Sequence, residues 1–170
     1  MKKIGFFGGS FDPIHFGHLN LAIEMLEKHR LDEVLFCPAF CSPFKREHPP
    51  VASPEDRLAM LKLVLADIPQ FRVTAVEVER REPSYTVDTL KKLPKGDYYL
   101  ILTQESAASF SQWKDPDQIK AMAKLLIGER EFPISSTAIR ERLKKKLYCG
   151  HLVPEKALYY MKERSIYCPF

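Results

Sequence analysis

Two histidines three residues apart, His15 and His18, stand in GFFGGSFDPIHFGHLNLAIEML (residues 5–26), beside a glycine-rich turn. Imidazoles at such a position can donate hydrogen bonds to phosphate oxygens. A helix N-terminus exposes unpaired N–H groups and carries about half a positive charge, so it already favours an anion there. EFPISSTAIRERLKKK (residues 131–146) supplies a second candidate: Ser135, Ser136 and Thr137 open a helix whose apolar positions Ile139 and Leu143 are four apart. One hydroxyl is explained by helix capping. Three in succession exceed that need, and with Arg140 one turn inside, the segment can hold phosphate oxygens through N–H groups, hydroxyls and a guanidinium.

The elements that must position these groups follow from periodicity. Residues 4–7 read as a short buried strand, and Leu19, Ala22, Ile23 and Leu26 mark one face of a helix starting near Gly17. Between them, Gly8 and Gly9 permit close approach of a ligand to the backbone, and Pro13 stiffens the turn. The pattern is neither G-x-G-x-x-G nor a P-loop, since no Gly-Lys-Ser/Thr follows. Further strand-like runs at 34–37, 71–78, 98–102 and 124–127 alternate with helical patterns. This predicts an α/β fold with a doubly wound, mostly parallel sheet and helices on both faces. A helix over 54–66 is marked by Ser53 as cap, Pro54 at its first position and Glu55 and Asp56 in its first turn, with Leu58, Met60, Leu61 and Leu65 facing the sheet. Another helix follows Thr86, and the last spans 154–163. The proline-rich stretch 37–54 is the longest loop and should lie at the carboxyl edge of the sheet, where such folds bind ligands.

The 170 residues fit one domain, 1–170, with 135–170 as a C-terminal helical segment, long enough to bury about 70% of the unfolded surface. A net charge of +4 suits an anionic ligand but is too small to imply nucleic acid, and Lys144 to Lys146 with Arg140 and Arg142 read as a solvated helix face. Cys37, Cys41, Cys149 and Cys168 lack metal-site spacing and read as free buried thiols. With no signal core and no membrane-length apolar run, the expected location is the cytoplasm.

GSFDPIHFGH and ISSTAIR resemble the paired signatures of the nucleotidyltransferase superfamily with an H-x-G-H motif. Within it the chain is most similar to the nicotinate-nucleotide adenylyltransferases. The closer signs are EVERREPSYTVDTL (residues 77–90), the loop from Pro38 to Lys45, and a tryptophan after the fourth strand. The resemblance covers nearly the whole chain and implies a Rossmann-like fold with adenylyl transfer from ATP to nicotinate mononucleotide, giving deamido-NAD and pyrophosphate. By that resemblance His15, His18, Lys45 and Arg140 are catalytic. Gly8, Gly9, Ser10 and Phe11, with the histidines, Ser135, Ser136, Thr137 and Arg140, bind ATP. Ser84, Tyr85, Thr86, Glu105 and Trp113 form the mononucleotide pocket, although without the family Tyr85 and Trp113 read as core aromatics. Mg2+ is expected on the ATP phosphates rather than in a protein metal site, with neither nucleic acid nor membrane as partner and a homo-oligomer left open.

That chemistry needs no protein nucleophile, because the mononucleotide 5′-phosphate is itself an anionic nucleophile. It needs alignment and charge stabilisation as pyrophosphate leaves. The chain departs from the family pattern at Thr103-Gln104-Glu105, where Gly-Ala-Asp is usual, in the short segment 129–133, and at Lys114 after the tryptophan. Fold and phosphate loop alone would also suit another adenylyltransferase, such as the phosphopantetheine enzyme, or a nucleotide-binding regulator. The S-Y-T-x-D-T-L segment favours the pyridine-nucleotide reading.

Overall fold

β1 (Lys3–Gly9) runs through the centre of the sheet and carries the chain straight into the two glycines. A strand covered on both faces must be apolar on both, and Phe6 and Phe7 are buried on opposite sides. In this computed structural model, which describes residues 1–45 (Lys45 without its side chain), 47–129 and 132–167, β1 pairs in parallel with β2 (Glu33–Pro38) and β4 (Asp97–Thr103). β3 (Phe71–Val73) and β5 (Ala123–Gly128) complete a five-stranded parallel sheet of order β3-β2-β1-β4-β5. The chain winds outward from β1 to β3, then crosses back to β4. It thereby opens a crevice between the carboxyl ends of β1 and β4, the switch point of the topology.

Parallel neighbours need crossovers, and the connecting helices cover both faces. On one face α1 (Phe16–Lys28), α2 (Pro54–Leu65), α7 (Ser136–Lys144) and α8 (Glu155–Glu163) pack Met25, Met60, Leu61, Ile139 and Met161 against Phe7, Val34 and Phe36. On the other, α4 (Thr86–Lys92) and α6 (Pro116–Met122) pack Val87, Leu90 and Ile119 on Phe6, Leu100 and Leu102. Each such side chain contributes roughly 1.5–3 kcal/mol by leaving water. Ser53 caps α2 as its sequence implies, its Oγ accepting from Asp56 N–H at 3.0 Å.

Two local readings change. The strand expected over 71–78 ends at Val73: Thr74 N–H makes the last ladder bond to Phe36 O at 2.9 Å, and α3 (Val76–Arg80) follows. A strand would send Glu77 and Val78 to opposite faces, whereas one helical turn buries both. In α2 Leu58 is only half-buried, and Arg57, its neighbour, is fully buried instead. α5 (Gln104–Ala108), capped by Thr103, adds a turn of helix after β4. Of the cysteines, Cys37 and Cys149 are buried free thiols, Cys41 is a half-buried one, and Cys168 lies outside the described residues.

Candidate active site

His15 and His18 cap α1 for each other. His18 N–H donates to His15 Nδ1 at 3.3 Å, and His15 N–H donates to His18 Nδ1 at 3.2 Å. The rings stack with centroids 3.6 Å apart, and Phe11 meets the His18 ring edgewise at 5.0 Å. A nitrogen that accepts from a backbone N–H carries no hydrogen, so each neutral imidazole holds its proton on Nε2. The intervening glycine is a steric requirement: a Cβ at Gly17 would lie 3.0 Å from His15 Nδ1 and Cε1. The turn before the pair bends through Phe11, whose φ is 48°, and through a cis Asp12–Pro13 peptide.

The histidines border a cavity of 530 Å³ at the β1/β4 crevice. One wall comes from Gly8, Gly9, Ser10 and Phe11 after β1. Another comes from Ser84, Tyr85 and Thr86 at the start of α4, with Glu105 and Trp113 from the segment after β4. The Trp113 ring packs on Phe110 at 5.4 Å and Phe44 at 6.4 Å, and its buried indole N–H has no partner among the described residues. Lys114 turns to Asp88 at 2.8 Å and lies 4.8 Å over the Tyr85 ring.

Ser135, Ser136, Thr137 and Arg140 do not border this cavity; they fasten α7 to the turn beneath the histidines. Ser135 Oγ caps the helix by accepting from Ala138 N–H at 3.1 Å, and Ser136 Oγ donates to Pro13 O at 2.9 Å. Arg140 donates to Asp12 O at 2.8 Å and to Thr137 Oγ1 at 3.2 Å. Just before them, Phe132 and Ile134 reach the cavity. The Lys45 side chain lies outside the described residues, while Pro43 and Phe44 of its short 3-10 turn are cavity walls.

Sequence reading missed three buried polar groups that support these walls. Arg57 donates to Ser10 O at 2.7 Å, Phe40 O at 3.2 Å and Ala52 O at 3.3 Å, joining the glycine turn to the 39–53 loop. Burial lowers its pKa from the ordinary arginine value, which the Asp12 carboxylate partly offsets. Asp12 accepts from Val51 N–H at 2.8 Å and Ala52 N–H at 3.0 Å. Glu77 lines the cavity and accepts from Thr89 Oγ1 at 2.6 Å. Burial raises its pKa, opposed by hydrogen bonds from Thr89 and Ser84 and by the Arg80 guanidinium. Ser84 Oγ in turn accepts from Phe40 N–H at 2.9 Å, so one buried carboxylate ties the Ser84-Tyr85-Thr86 wall to the opposite loop. Burial and Glu77 push the neighbouring Cys37 thiol well up, which leaves it inert as a nucleophile. No periodicity distinguishes these charges from surface ones.

The cytidylyltransferase-like family model matches residues 6–142. A probable nicotinate-nucleotide adenylyltransferase of Methylacidiphilum infernorum is 35% identical over 98% of this chain and 93% of its own length. One from Geobacillus kaustophilus is 35% identical over 98% and 87%. Among solved structures, a putative nicotinate-nucleotide adenylyltransferase from Vibrio parahaemolyticus superposes with a TM-score of 0.78 at 20% identity, covering 95% of this chain and 99% of that one. The Plasmodium falciparum nicotinic acid mononucleotide adenylyltransferase complexed with NaAD superposes with 0.76 at 16% identity, covering 98% of both chains.

Proposed function

This chain belongs to the cytidylyltransferase-like family and, within it, to the nicotinate-nucleotide adenylyltransferases, and from that premise we propose how its cavity transfers an adenylyl group from ATP to nicotinate mononucleotide in NAD biosynthesis. The products are deamido-NAD and pyrophosphate. The observation that carries the site assignment is the reciprocal capping of His15 and His18, which leaves both rings with Nε2 donors beside the cavity.

ATP binds against the turn after β1. There Gly8 and Gly9 let the backbone approach the nucleotide, and Ser10 and Phe11 complete that wall. A 5′-phosphate oxygen of the mononucleotide attacks the α-phosphorus in line. A new P–O bond forms as the bond from the α-phosphorus to the bridging oxygen breaks, and that oxygen leaves with pyrophosphate. Charge accumulates on the departing group, and imidazole N–H donors already fixed by the α1 cap meet it without reorganising. Arg140, with Ser135, Ser136, Thr137 and Lys45, closes on the β- and γ-phosphates. Ser84, Tyr85 and Thr86 line the mononucleotide pocket with Glu105, and Trp113 offers the pyridine ring a stacking surface and an indole N–H for a ligand acceptor.

Among the described residues no group of three or more His, Cys, Asp or Glu side chains converges to hold a metal ion. A divalent cation held by the ATP phosphates, Mg2+ in this reading, would supply partial neutralisation of their charge. The whole chain acts as one catalytic unit in the cytoplasm, and homo-oligomers are compatible with it.

The test is pyrophosphate release from ATP and Mg2+ with nicotinate mononucleotide, nicotinamide mononucleotide and phosphopantetheine offered separately, the product identified by mass. The reading expects release with nicotinate mononucleotide and a deamido-NAD mass. Release with phosphopantetheine alone, or with no acceptor despite ATP binding, would overturn it.

A further inference from the structure

Asp12 is 4% exposed and stands where the chain's two phosphate segments meet. Besides the Val51 and Ala52 amides, its Oδ1 accepts the hydroxyl of Tyr167 at 2.6 Å, from 155 residues further along the chain. Its Oδ2 lies 3.5 Å from Arg140 Nη1, which also donates to the Asp12 carbonyl at 2.8 Å. Tyr167 is 7% exposed and has a φ of 67°, a backbone conformation that costs a bulky residue energy. The chain after α8 accepts that cost to bring the ring under the glycine turn. Burial and the Asp12 charge push the tyrosine pKa far up, so its hydroxyl remains a donor at any working pH.

A buried carboxylate must have its lone pairs satisfied. With two amides and a hydroxyl supplied, Asp12 holds Arg140 by the carbonyl and one long contact, not by a tight two-point ion pair. Beyond these contacts and the bond to Thr137 Oγ1, the guanidinium keeps N–H groups for a ligand. Removing the hydroxyl frees a lone pair on Asp12, and Arg140 Nη1, 3.5 Å from Oδ2, is a donor that can move in to fill it.

We propose that Tyr167 is a positioning residue for adenylyl transfer: its hydroxyl saturates the Asp12 carboxylate and so keeps the Arg140 guanidinium out of a tight pair with it and able to reach the ATP phosphates. The inference rests on the assignment of Arg140 to those phosphates.

The test is a four-way comparison of the full-length wild type, Tyr167→Phe, Arg140→Met and the double variant, with kcat and both KM values read below every unfolding midpoint. Tyr167→Phe removes one oxygen and keeps the ring. In the wild-type background it should lower kcat about tenfold, the scale of one hydrogen bond to a charged group, and leave KM for the mononucleotide unchanged. In the Arg140→Met background it should cause no further loss. An equal loss in both backgrounds would show that the hydroxyl acts through the fold alone and would overturn the proposal, as would an unchanged kcat in the single variant. Full kcat in Arg140→Met would overturn the Arg140 assignment itself, and the proposal with it.

Discussion

His15 and His18 each use Nδ1 to accept the other's backbone N–H, at 3.3 and 3.2 Å, so one pair of side chains both starts α1 and borders the cavity. In the proposed mechanism, folding and chemistry draw on opposite nitrogens of the same rings. The two roles are therefore separable by substitution.

Asparagine is among the best N-cap residues, and its side-chain oxygen can replace His15 Nδ1 while nothing replaces Nε2. His15→Asn should change stability by less than about 0.5 kcal/mol and lower turnover about a hundredfold, the scale of one lost transition-state donor. Denaturant midpoints measured beside kcat decide it. His18→Ala removes an acceptor as well as a donor, and should lose a similar factor in turnover together with about 1 kcal/mol of stability. Unchanged turnover in either variant would remove that ring from the mechanism.

Arg57 satisfies three backbone carbonyls from a fully buried position. Arg57→Met keeps most of the volume and strands those acceptors, so it should destabilise by about 3 kcal/mol or more. The exposed pair of Arg81 and Glu55 is the internal control, with Arg81→Ala expected within about 0.5 kcal/mol of wild type. Equal urea midpoints for the two variants would contradict the role given to Arg57.

Glu77 has a folded pKa raised by burial above its ordinary value of 4.5. For a raised group the stabilising contribution is fully present below the unfolded pKa and is lost as pH rises through the folded one. The buried charge is therefore a cost at neutral pH that disappears in acid. Glu77→Gln can still accept from Thr89, so it should be more stable than wild type at pH 7, with the gap narrowing as pH falls toward 4.5. Unfolding midpoints across that range test it, and a gap that is independent of pH would count against it.

Trp113 should act on one substrate. Trp113→Ala should raise KM for the mononucleotide about tenfold or more, on the scale of a lost base–aromatic stack, with KM for ATP little changed. Trp113→Phe should recover part of that loss by restoring a ring. Equal effects on both substrates would place the tryptophan outside the acceptor pocket.

Most elements were legible locally because their signals are local. The Ser53-Pro54 start of α2, the apolar run of β1 and the serine cap of α7 each depend on neighbours within a turn. The parallel direction of the strands followed from their alternation with helices, since parallel neighbours require crossovers. The family resemblance added the reaction, which no periodicity contains. The 71–78 run failed for a tertiary reason: valines alternating with polar residues fit a strand, but β3 is a sheet edge whose last ladder bond is made at Thr74, and burying Glu77 beside Thr89 required a helical turn.

What the sequence determined by itself was most of the elements and the residue types of the two turns read as phosphate sites, because periodicity, caps and turn residues act over a few positions. Only the tertiary structure decided that Arg57, Glu77 and Asp12 are interior charges, and that Arg140 and Tyr167 converge on Asp12 from 128 and 155 residues away. A buried charge and an exposed one are written with the same letter. What separates them is whether distant backbone groups arrive to satisfy it.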